Sequence, residues 1–67
     1  MTSATFERVQ ARNRLADKGV TMRWDSWLEE YRVNFRYGRE ATAYYTTDLD
    51  DAVATGNRMA KEGAPAA

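Results

Sequence analysis

Sixty-seven residues leave room for one domain and no more. The chain has no Cys and no His, which removes disulfides, thiolate metal sites, the commonest general base and the commonest zinc ligand. Ten Lys and Arg balance ten Asp and Glu, so the net charge announces neither nucleic acid nor an anionic membrane.

Hydrophobic residues make up 43% of the chain, with two Trp, four Tyr and two Phe, too many for a disordered sequence. Apolar runs are too short to span a bilayer, and Met1 to Val9 lacks the apolar region of a secretory signal. The expected location is cytoplasmic. A domain this small and without staples must draw extra stability from packing or from self-association.

Ser3 to Lys18 reads as a helix of good helix formers without Pro or Gly. Ser3 or Thr5 is the candidate cap, and Gly19 ends the helix. Its amphipathicity is poor. Phe6, Val9 and Ala16 share one stripe, whereas Ala4, Ala11 and Leu15 lie on the opposite side. Such a helix docks loosely or turns its second side to a partner.

Residues 20–47 read as a three-stranded antiparallel sheet. Val20, Met22 and Trp24 alternate with Thr21, Arg23 and Asp25, and Asp25-Ser26 is turn chemistry. Trp27 to Glu30 fits either a helical turn or the next strand. In the strand Tyr31 to Tyr37, Tyr31, Val33, Phe35 and Tyr37 face one way and Arg32, Asn34 and Arg36 the other. Gly38-Arg39 supplies a tight turn with positive φ at the Gly, and Ala41 to Thr47 returns as the third strand. A two-residue loop pairs Arg36 with Ala41 and puts Tyr45 on the arginine face; a three-residue loop with a bulge puts Tyr44 there instead.

Asp48 to Lys61 is the clearest helix, with Leu49, Ala52, Val53, Gly56, Met59 and Ala60 on one stripe. Thr47 sits three residues before Asp50, close to a capping box, and Asp48, Asp50 and Asp51 lie at the positive end of the helix dipole. Gly63 is a C-cap candidate, and Gly63 to Ala67, with Pro65, reads as a frayed tail. The fold class is therefore α+β, in the order helix, three strands, helix, with the second helix on one face of the sheet.

Three features invite chemistry. The aspartates at 48, 50 and 51 look like a cation cluster, but an EF-hand loop needs a Gly and a distant Glu that are not in place, and helix capping accounts for all three. Gly56, central in the apolar stripe, implies close approach of the helix backbone to a large sheet side chain such as Phe35 or Tyr45. Of the two Trp, one is expected in the core and Trp27 at a subunit or partner contact.

Arg23, Arg32, Asn34 and Arg36, joined by Tyr45, form the candidate binding face. Arginines beside an aromatic suit phosphates, bases or an acidic protein surface; a plain solvated face is the competing reading, since Asp25, Glu29, Glu30 and Glu40 cancel the charge. No spacing pairs a nucleophile with a base, and the four Gly are isolated, so no catalytic residue, metal or cofactor is expected.

The stretch Tyr31 to Ala60, a hairpin followed by Thr-Thr-Asp-Leu-Asp-Asp-Ala-Val-Ala-Thr-Gly-Asn-Arg-Met-Ala, resembles the AP2-like and integrase arm-binding domains. That resemblance implies a three-stranded sheet backed by one helix that presents arginines to the DNA major groove. The chain departs from it in its zero net charge and its extra N-terminal helix. The element order also resembles the double-stranded RNA-binding domain, whose basic helix start is replaced here by aspartates.

The expected function is a non-enzymatic protein-interaction module, self-associating, such as a small regulator or inhibitor of a larger bacterial or phage machine. The alternative is a nucleic-acid binder that uses the arginine-bearing sheet face.

Overall fold

The computed structural model describes residues 4–63. The expected helix start at Ser3 and the tail beyond Gly63, including Pro65, lie outside the described residues. Helix α1 spans Ala4–Asp17, strand β1 Val20–Asp25, strand β2 Glu30–Phe35, strand β3 Tyr44–Thr46 and helix α2 Leu49–Glu62. The fold is α+β, with a three-stranded antiparallel sheet in the order β1-β2-β3.

Two local signals set the frame. Gly19 takes φ 80° and closes α1, where its N–H reaches the Ala16 carbonyl. Asp48 caps α2: its carboxylate accepts from the Asp50 N–H at 2.8 Å and the Asp51 N–H at 3.4 Å. The cap thus lies one residue after Thr47, because the extended backbone at Asp48 aims its short side chain at those two donors.

Even positions of β1 and odd positions of β2 share the inner face. Val20, Met22, Tyr31 and Val33 meet Leu15 of α1 and Ala52 of α2 in the core. Both helices therefore cover the same face. Burying each large apolar side chain contributes roughly 1.5–3 kcal/mol, and the core is small, so each matters.

Helix α1 docks through Ala11 and Leu15, with Leu15 only 1% exposed, while Phe6 and Val9 lie outward. Its weak amphipathicity has a local cause. Arg8 occupies the same inward stripe, one turn before Ala11, lays its guanidinium 4.2 Å over the Trp24 ring and donates to the Tyr31 hydroxyl at 3.3 Å. A polar residue thus packs where a sequence pattern expects an apolar one.

The β2–β3 connection differs from the expected tight turn. Pairing stops at Val33 with Tyr44, and the chain between runs through a 3-10 turn over Glu40–Thr42. The register is nonetheless that of the two-residue alternative, since Arg32 stands opposite Tyr45. Tyr37, expected on the same face as Tyr31, Val33 and Phe35, is 92% exposed because β2 ends at Phe35.

Asn34 departs furthest from expectation. Strand alternation puts it on the outer face, yet it is fully buried. The 36–43 loop folds over it. Its Nδ2 donates to the Arg39 carbonyl at 3.0 Å, and its Oδ1 accepts from the Phe35 N–H at 2.8 Å and faces the Thr42 hydroxyl at 2.7 Å. A buried amide satisfied this way replaces a turn as the closure of the hairpin. Gly38 is required by contact rather than by φ, for a Cβ there would lie 2.8 Å from Asn34 Cγ and 2.9 Å from Thr42 Oγ1.

Candidate functional site

The six residues expected to bind a partner fall into three places. Trp27 stands at the apex of the β1–β2 connection. Arg23, Arg32 and Tyr45 form one row across the outer face. Asn34 and Arg36 are drawn into the structure itself.

The apex is Ser26 to Glu29, closed by the Asp25–Glu30 pair. Asp25 Oδ1 accepts from the backbone N–H of Trp27 at 2.9 Å and of Leu28 at 3.1 Å, which fixes the loop. Glu29 takes φ 53°, a left-handed conformation that costs a non-glycine residue about 1–3 kcal/mol. The result is a short turn that holds Trp27 91% exposed and Leu28 60% exposed. Trp24, three residues earlier, packs against the core with its ring centroid 4.6 Å from that of Tyr31. The two Trp thus divide as expected, one inward and one outward.

On the outer face Arg23 stands opposite Arg32, and Arg32 opposite Tyr45. Like charges facing across strands are unfavourable. Arg32 is relieved by Glu40, which its Nη2 reaches at 3.3 Å, and its Nε donates to the Tyr45 hydroxyl at 3.3 Å. The Tyr45 hydroxyl in turn donates to the Glu40 carboxylate. That bond first, and Arg32 second, hold the Glu40 carboxyl below its ordinary range; the Tyr45 hydroxyl first and Glu40 next hold Arg32 above its own. The next row along the strands, Asp25 and Glu30, is acidic. The face is thus a balanced mosaic, and its one ion pair among the described residues consumes Arg32.

Arg36 is exposed but committed. Its Nη2 donates to the Ala16 carbonyl at 3.0 Å, at the negative end of α1. Of the three arginines expected on the face, only Arg23 remains without such a partner among the described residues.

Sequence reasoning passed over the contacts that three residues make. Arg8 anchors α1 on Trp24, and nothing in the helix pattern marks it. Leu28, 60% exposed, adds apolar surface at the apex and lay in a segment whose structure was ambiguous. Tyr44, on the inner face, donates to Asp51 Oδ2 at 2.6 Å, tying β3 to the first turn of α2. Among the described residues no group of three or more His, Cys, Asp or Glu is arranged to hold a metal ion, and no helix is long and apolar enough to cross a membrane. No family model matches the chain, and no curated protein and no solved structure matches it either.

Proposed function

We propose that the protein is a non-enzymatic interaction module that inserts Trp27, flanked by Leu28, into an apolar pocket of a protein partner. The observation that carries this reading is a Trp left 91% exposed at the tip of a turn fixed by side-chain hydrogen bonds and held through a left-handed Glu29. Trp anchors of this kind concentrate binding energy at protein interfaces, and a preset loop loses little entropy on docking. A role as a regulator or inhibitor of a larger machine is the reading that suits a small domain with an exposed Trp anchor.

The nucleic-acid reading draws less support. Arg32 is engaged by Glu40 and Tyr45, Arg36 by the α1 terminus, and Asn34 is buried. A phosphate-tracking surface needs several free cations.

The test is site-specific photo-crosslinking in the producing cell, with a benzophenone side chain at position 27 or at position 45. Position 27 should yield a discrete protein adduct that excess wild-type protein suppresses and Trp27→Ala protein does not. Adducts from position 45 alone, with salt-sensitive retention on heparin, would transfer the function to the sheet face.

A further inference from the structure

The groove between the two helices belongs neither to the apex nor to the outer face. It encloses about 550 Å³, with Ala11 and Val53 among its apolar floor and charged side chains on its rim. The helices run side by side in the same direction: Lys18 donates to Asn57 Oδ1 at 3.1 Å near their C-terminal ends, and Glu7 and Asp50 line the groove where both begin. One end of the groove is therefore acidic, with Glu7 and Asp50. The other is basic, with Arg14 and Lys18.

We propose that a second copy of this chain docks on this groove with its helices antiparallel. The charge layout selects both occupant and orientation. A face-to-face dimer has its two-fold axis in the interface. An axis along the helices would stack acid on acid and base on base. An axis across them, level with Gln10 and Ala11, sets Glu7 of each copy opposite Arg14 of the other. Oppositely charged ends fix register and orientation, and the apolar floor removed from water supplies the attraction. A chain with a small core and no Cys gains the stability that single domains of this size lack.

The test is sedimentation equilibrium of wild type, Glu7→Arg, Arg14→Glu and an equimolar mixture of the two variants. Both positions are exposed, and circular dichroism verifies folding. Wild type should be a dimer. Each variant alone meets two like-charge contacts per dimer and should dissociate at least about tenfold more readily. The mixture places Arg at position 7 against Glu at position 14, and Glu7 against Arg14, so it should dimerise nearly as wild type does. A wild-type monomer at millimolar concentration overturns the proposal, as does a mixture that dimerises no better than its components. Trp27→Ala should leave the dimer intact, so failure here and failure of the apex reading are separable.

Discussion

Gly56 of α2 lies so close to Leu15 of α1 that a Cβ on the glycine would sit 2.7 Å from Leu15 Cδ1 and 2.8 Å from Cδ2. The glycine is needed for contact between the two helices, whereas the sequence pointed to a sheet side chain. Leu15 is 1% exposed and packed in the core, so moving it aside breaks core contacts. Gly56→Ala should therefore destabilise by about 1–3 kcal/mol from overpacking, although alanine favours helix by about 1 kcal/mol. Urea unfolding of Gly56→Ala, Leu15→Val and the double variant checks this: the two changes should be strongly non-additive, with the smaller valine absorbing the new methyl.

Asn34→Leu should cost about 1–3 kcal/mol, because it strands the Phe35 N–H beneath a loop and takes from the Arg39 carbonyl one of its donors, the others being the Thr42 N–H and hydroxyl. Amide exchange should become faster across 36–43 and stay unchanged in α1. Equal loss of protection in both would mean that the loop and the helix open as one unit.

The Tyr44–Asp51 bond makes stability fall at both extremes of pH. The Tyr44 hydroxyl first, then Thr46, hold the Asp51 carboxyl below its ordinary range. The unfolded chain therefore takes up the proton more readily, and this contribution is lost as pH falls through the carboxylate range. Hydrogen bonding to Asp51 first, then burial, hold the Tyr44 phenol above its ordinary range, so the same bond is lost as pH rises past that range. Tyr44→Phe should flatten both limbs of a curve of urea midpoint against pH, leaving an acid limb from Glu40.

Trp27→Ala should change stability by no more than about 0.5 kcal/mol, since the side chain touches little of its own fold. Asp25→Ala should cost more, because two backbone donors of the apex lose their acceptor. Thermal melts of the two variants side by side test the ordering.

The element order was legible because alternation at 20–24 and 31–35 and the stripe from Leu49 to Ala60 are local patterns with a single structural solution. The inward side of α1 was not, because Arg8 packs on Trp24 from within the stripe. Nor was the 36–43 loop, since the hydrogen-bonding reach of Asn34 depends on residues brought to it by the fold. The candidate site was half legible. One Trp outward and Tyr45 beside Arg32 were within reach of pattern and register. That Arg32, Arg36 and Asn34 bind their own chain is a tertiary fact with no periodic signature.

The shared direction of the two helices has a practical consequence for anyone labelling the protein. Arg8 lies over Trp24, so α1 begins at the end of the molecule that carries the Trp27 turn. Helix α2 also begins there, beside the Tyr31–Thr46 pair, and its 14 residues run roughly 21 Å away from it. A fluorophore or affinity handle attached beyond Gly63 therefore departs from the far end and leaves the tryptophan tip unobstructed. The same handle placed ahead of Ala4 starts beside that tip and competes with whatever approaches it.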